Sequence, residues 1–235
     1  MMLPLVLLAG SSCTDDDEYT QGQWIKRSGF EAEPRAYACS FTIGEKGYLC
    51  GGFRGANKEY MNDLWVYDMN NNNWEQLADM PTAGRKYATA FALNGKGYVT
   101  TGSVKDGSYS NYVADTWEYD PSSDAWTQKD DFKGGPRDGA LSFVVGGYAY
   151  IATGYRSGVT ADYWKYDPDQ DLWYGDSDDD FTPLTDVHNN YSGASSRDGA
   201  VSFSNGERGF VLTGQSGGSY FDDVYELLPD EQEEV

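Results

Sequence analysis

Four arginines, Arg35, Arg85, Arg137 and Arg197, recur at a spacing of 50 to 60 residues, each at the same point of a repeated pattern. Converging guanidiniums can hold a carboxylate, a phosphate or a sialic acid. The same recurrence also suits a structural use, in which each arginine pairs with a repeated aspartate of a nearby loop. Asp138 and Asp198, directly after two of the arginines, are the expected partners. A second concentration of chemistry lies between Trp173 and Arg197, with Asp176, Asp178, Asp179, Asp180, Asp186 and the single histidine, His188. Carboxylates at this density could hold Ca²⁺, but no EF-hand spacing is present, so the stretch reads as a solvated acidic loop and no metal site is assigned. Asp167, Asp169 and Asp171 alternate, yet Asp167 repeats Asp68 and Asp120. His188 has no nucleophile-elbow pattern beside it, and no glycine-rich loop precedes a helix to cradle phosphate. No catalytic residue and no cofactor are assigned.

The elements that must position these groups are strands. Aromatic residues make up 15% of the chain and glycine numbers 28, while no segment sustains a 3.6-residue apolar period. The fold class is all-β. A formal charge of −21 over 235 residues repels phosphate backbones and anionic lipid surfaces, which excludes nucleic acid as a partner. The same charge also serves plain solubility.

The repeat fixes the layout. From each Arg, a Phe stands six residues on (Phe41, Phe91, Phe143, Phe203), an aromatic thirteen on (Tyr48, Tyr98, Tyr150, Phe210) and a Gly seventeen on (Gly52, Gly102, Gly154, Gly214). DLWVYD, DTWEYD and DYWKYD then place Trp65, Trp117 and Trp164, each followed nine residues later by Trp74, Trp126 and Trp173. Each unit reads as two strands joined at a Gly or Asn-Gly turn, a third strand through the WxYD segment, and a fourth opened by the later Trp. A hairpin turn over Gly44–Gly47 sets Cys39 nearest Gly52 and Cys50 nearest Phe41. That diagonal register favours two buried thiols over a disulfide.

The pattern resembles the Kelch repeat over residues 24–228. The resemblance implies a β-propeller of four four-stranded blades. Trp24, Phe30 and Arg35 repeat the spacing of Trp74, Met80 and Arg85, and the last repeat ends after its third strand, so the N-terminal strand is expected to close the last blade. Kelch propellers usually carry more blades, which leaves three arrangements: a compact closed monomer, favoured by the matching ends, a fragment, or two chains paired in a larger ring. The resemblance places the arginines around the central channel and the variable loops on one ligand-binding face. Arg54, Tyr60, Tyr109, Tyr112, Tyr155, Arg156 and Tyr220 are the candidate contacts there, in loops rich in Gly, Ser, Asn and Tyr that suit a glycan or a protein. Galactose oxidase shares the architecture, but its copper site needs two histidines. Kelch-type sialic acid mutarotases need only acid/base groups and an Arg-rich pocket, and they form the enzymatic alternative to a non-catalytic binding module. A structural propeller of an envelope assembly is the third reading.

Residues 1–12, MMLPLVLLAGSS, have the length of a signal-peptide apolar region and are too short to span a bilayer. With Cys13 and the acidic run Asp15–Glu18 they resemble the export and acylation signal of Bacteroidetes-type lipoproteins. The resemblance implies a lipid on Cys13, an acidic tether over 13–23, an outer-membrane or cell-surface location with the membrane as partner through the anchor, and a short acidic tail over 229–235.

Overall fold

A computed structural model describes residues 24–55, 58–107, 109–175 and 196–227. Cys13 with the leader and tether, His188 with the acidic run from Asp176 to Asp186, and the tail 229–235 lie outside the described residues. Among the described residues every regular element is a β-strand, and no helix is long and apolar enough to cross a membrane.

Each repeat makes one antiparallel sheet. The first runs in order through Cys39–Ile43, Lys46–Arg54, Glu59–Asp68 and Asn73–Leu77. The second and third follow the same order, with inner strands Thr89–Leu93 and Leu141–Val145 and outer strands Ala125–Lys129 and Leu172–Gly175. The last has three strands among the described residues, Val201–Ser204, Gly209–Leu212 and Val224–Leu227. Residues 24–30 carry no strand, and Trp24 is fully exposed. The fourth strand expected to close the last sheet is not among the described pairings.

Inner strands of successive sheets pack side by side, first on second, second on third, third on last. Apolar clusters fill these junctions. Phe41, Tyr48 and Leu64 meet Val99 and Tyr119 in the first. Phe91 and Tyr98 meet Ala149, Ile151 and Tyr166 in the second. Phe143 and Val145 meet Val211 in the third. Aromatics supply most of this buried area, and the Phe and the aromatic seven residues later stack across each hairpin, as Phe41 does on Tyr48 at 4.8 Å and Phe91 on Tyr98 at 5.0 Å.

The first hairpin departs from the expected register. Its loop is the two residues Gly44-Glu45, because Ile43 pairs with Lys46, so Cys39 lies directly opposite Cys50 and Phe41 opposite Tyr48. Gly44 makes this tight turn possible with φ of +56°. Both cysteines are free, buried thiols, and the Cys39 thiol donates to the Cys50 carbonyl at 3.4 Å. The Cys39 hydrogen bond and burial push the Cys50 thiol well above its ordinary pKa.

Candidate functional site: the axial mouth

The four arginines are consumed by the fold. Their side chains are 3% exposed or less. Each grips a carboxylate through both terminal nitrogens: Arg85 holds Asp115 at 2.9 and 2.7 Å, Arg137 holds Asp162 at 2.6 and 2.7 Å, and Arg197 holds Asp223 at 2.6 and 2.9 Å. Arg35 grips Asp63 in the same way. Each also donates to the carbonyl just before the repeated Gly, at Gly51, Thr101, Thr153 and Thr213. The indole N–H groups of Trp65, Trp117 and Trp164 complete the first three carboxylates. Burial pulls the Asp115 and Asp162 carboxyls upward, but the arginine's hydrogen bonds and charge outweigh it and hold both below the usual carboxylate range.

This is the structural use weighed for the arginines, with a different partner. The partner is the aspartate two residues before Trp65, Trp117, Trp164 or their counterpart Tyr225 in the same sheet, not Asp138 or Asp198, because the residue after each arginine is instead held through its backbone by the residue after the repeated Gly. With their terminal nitrogens so committed, these four guanidiniums are not presented to an anionic ligand.

The residue after each arginine pairs through the backbone with the residue after the repeated Gly: Ala36 with Phe53, Lys86 with Ser103, Asp138 with Tyr155, Asp198 with Gln215. The glycine allows this approach. At Gly154, φ is +100° and a Cβ would stand 2.8 Å from the Asp138 carbonyl; Gly52, Gly102 and Gly214 repeat the arrangement. One further residue along, Tyr37, Tyr87 and Gly139 link blade to blade, since the Tyr87 N–H donates to the Tyr37 carbonyl and the Gly139 N–H to the Tyr87 carbonyl, both at 3.0 Å. These positions form the mouth of the axis on the loop face.

Its side chains are chemically mixed. Tyr37 and Tyr87 lie ring to ring at 4.3 Å, and both stay open to solvent. The Lys86 ammonium sits over Phe53, Tyr60 and Tyr87 at 5.2 to 5.4 Å. Ser103 donates to Asp138 at 2.5 Å, and Asp198 Oδ1 has no hydrogen-bond partner among the described residues. Burial pushes the Asp138 carboxyl above its ordinary pKa, with the Asp198 charge adding to it and the Ser103 hydrogen bond and Lys86 opposing. Burial and the Tyr37 hydrogen bond push Tyr87 up to about 12.

Of the loop residues expected from sequence, the structure brings Tyr60, Tyr112 and Tyr155 to this mouth. Tyr112 and Tyr155 meet edge to face at 6.2 Å, and Tyr60 shares a hydrogen bond with Ser110 at 2.8 Å. Arg54 is tied to Glu33 and Glu59, and Arg156 donates to the Gly134 carbonyl. Tyr109 and Tyr220 project into solvent, 80% and 85% exposed, apart from the cluster. Sequence reasoning missed Tyr37, Lys86, Tyr87, Ser103 and Gln215. The available signal was contrast: the position after the invariant Arg reads Ala, Lys, Asp, Asp, and the one after the invariant Gly reads Phe, Ser, Tyr, Gln. Asp68, Asp120 and Asp167 cap the turns after the third strands, where Asp167 accepts from the Asp169 and Gln170 N–H groups, so their alternation needs no metal.

Residues 18–184 match the model of the KLHDC2/KLHL20/DRC7 Kelch-repeats domain. The chain belongs to the Kelch-repeat family. It is similar to the N-acetylneuraminate epimerase of Yersinia pestis (strain Pestoides F), 28% identical over 105 residues, which is 43% of this chain and 27% of that protein. It is also similar to Kelch-like protein 25 of Xenopus tropicalis, 28% identical over 144 residues, 58% of this chain and 24% of that one. The match thus spans about a quarter of the length of these curated relatives. Among solved structures, YjhT superposes with a TM-score of 0.63 at 17% identity, covering 88% of this chain and 85% of the other, which fixes the Kelch propeller fold.

Proposed function

We propose that this Kelch propeller is a lipid-anchored, non-catalytic binding module that takes a neutral glycan at its axial mouth. The observation that carries the reading is the division of labour at that mouth. Every repeated arginine spends its terminal nitrogens on aspartate and a carbonyl, while Tyr37 and Tyr87 present open rings near Asp138, which accepts from Ser103 and has Asp198 in its field. Sugar rings lay C–H faces on tyrosine and donate hydroxyls to carboxylates, and clusters of this composition recognise them. A peptide surface rich in Lys would meet the same acids, and it is the protein form of the reading. Lipid on Cys13 would hold the module on an outer membrane or cell surface; incorporation of an alkyne-tagged fatty acid that disappears in Cys13→Ser tests this.

A second reading follows from the epimerase relatives. Asp138, a carboxyl with a raised pKa, stands near Asp198, whose Oδ1 has no hydrogen-bond partner among the described residues. One could give a proton to a sugar's ring oxygen as the other takes the anomeric hydroxyl proton, opening the ring and leaving the pair ready to reverse the step. Among the described residues of the mouth, Lys86 is the cation that would face the carboxylate of N-acetylneuraminate, with the repeated arginines committed to aspartates, which is why this reading comes second.

Titration calorimetry with neutral oligosaccharides, alongside NMR of N-acetylneuraminate anomers, separates the two. Binding of a neutral glycan, weakened at least tenfold in Tyr87→Ala and Asp138→Asn with anomer exchange at the uncatalysed rate, is the expected result. Accelerated anomer exchange that Asp138→Asn abolishes would replace the first reading with the second.

A further inference from the structure

The phenyl six residues after each arginine is a key, and in three copies it is seated. Phe41, Phe91 and Phe143 are 4% to 6% exposed, each pressed on the next sheet. The sockets are small residues of the second strand: a Cβ on Gly97 would stand 2.1 Å from the Phe41 ring, and one on Gly209 2.5 Å from Phe143. Phe203, the fourth key, is 54% exposed, with Val201 and Val224 on the same face at 53% and 60%. The first sheet carries the matching socket without a key, since a Cβ on Gly47 would meet only Met69 at 3.8 Å. A polar stitch is open there too. Ser142 and Ser202 reach back to carbonyls of the preceding inner strand at 2.8 and 2.7 Å, whereas Ser40, their counterpart, is exposed.

We infer that the open face of the last sheet docks on the open face of the first sheet of a second copy of this chain, so that two such junctions close a ring of eight sheets.

The segment before the first sheet says what belongs on its face. Ser28 N–H donates to the Asn72 side chain at 2.9 Å, as Ala78 does to Asp124 at 2.9 Å and Asp130 to Asp171 at 3.1 Å. Phe30 lies 4.8 Å from Trp74, as Phe132 lies 4.9 Å from Trp173. In the second and third sheets the segment held this way is the exit of the preceding sheet's fourth strand. Residues 24–30 are therefore placed as the exit of a sheet that must sit against the first one. Among the described residues the last sheet shows three strands, and Trp24 and Ile25 stand 103% and 70% exposed where a fourth strand's residues would be. A partner's last sheet set on this face seats its Phe203 at Gly47 and gains Trp24–Phe30 as its fourth strand, covering an apolar face and an open edge at once. Head-to-tail contacts that close under a two-fold axis make a finite dimer rather than a filament. Among the described residues the first and last inner strands lack the packing that every successive pair shows.

Sedimentation of the full chain should give twice the 26.0 kDa of one chain. Phe203→Glu on the key and Gly47→Val on the socket should each return it to the single-chain mass with an unchanged β-sheet circular dichroism spectrum. Should one substitution prevent folding, the other, on the opposite face, decides. Mixing Phe203→Cys chains with Gly47→Cys chains should give a disulfide-linked pair. A single-chain mass for the unaltered protein, a dimer indifferent to both substitutions, or a doubly substituted chain that links only to itself would each overturn the inference.

Discussion

Arg137 and Asp138 are neighbours in the chain and opposites in use. Arg137 is fully buried, and its terminal nitrogens reach two carboxylate oxygens, the Thr153 and Gly134 carbonyls and the Thr160 hydroxyl. Asp138 is half-buried, accepts from Ser103 through its side chain, and has a raised pKa. The repeat spells the first position identically four times and varies the second. In this propeller, then, the constant residue ties a strand start to its own sheet, while the ladder it anchors presents changing side chains to the axis. Charge by itself does not mark the site: the buried arginines recur in every repeat and are among the least accessible cations of the described residues.

Breaking the constant half should be costly. Arg137→Ala leaves the half-buried Asp162 without its guanidinium partner and the buried carbonyls of Gly134 and Thr153 without their donor, and urea unfolding should show a loss of about 3 kcal/mol. Gly154→Ala attacks the backbone approach rather than the charge. With φ of +100° and the Asp138 carbonyl 2.8 Å from the added Cβ, a loss of about 2 kcal/mol is expected in the same experiment. A result for Arg137→Ala as small as that of a surface change would dissolve the distinction between the two halves.

Much of this was legible in the sequence. The Arg, Phe, Gly and Trp spacings located all four sheets, since a position repeated in every copy is constrained by packing every time. What escaped was the direction of side chains from irregular backbone. The partner of each arginine is an aspartate twenty-five to thirty residues away across the sheet, and sequence adjacency pointed to Asp138 and Asp198. The diagonal cysteine register failed because two residues, not four, make the turn at Gly44, and a shift of that size cannot be read from alternation alone. The mouth residues escaped because they are single positions inside strand starts, where composition carries no signal and only variation among copies does.

Acid sharpens the comparison further. Asp115 and Asp162 have folded pKa values below the ordinary one, so the stability they contribute is present above about pH 3.9 and is lost as pH falls through the depressed values. Asp138 has the opposite sign. Its folded pKa lies above the ordinary value, so its neutral form is the one the fold prefers, and stability associated with it is complete below about pH 3.9 and declines as pH rises through the raised value. Asp138→Asn removes that decline and keeps an oxygen to accept from Ser103. The variant should therefore match or slightly exceed the parent at neutral pH, by no more than about 0.5 kcal/mol, in thermal unfolding followed across pH 3 to 8. The same substitution should cost at least tenfold in ligand affinity. A residue whose removal leaves the fold intact and empties the mouth belongs to the site, and a large stability loss here would instead place Asp138 with the arginines.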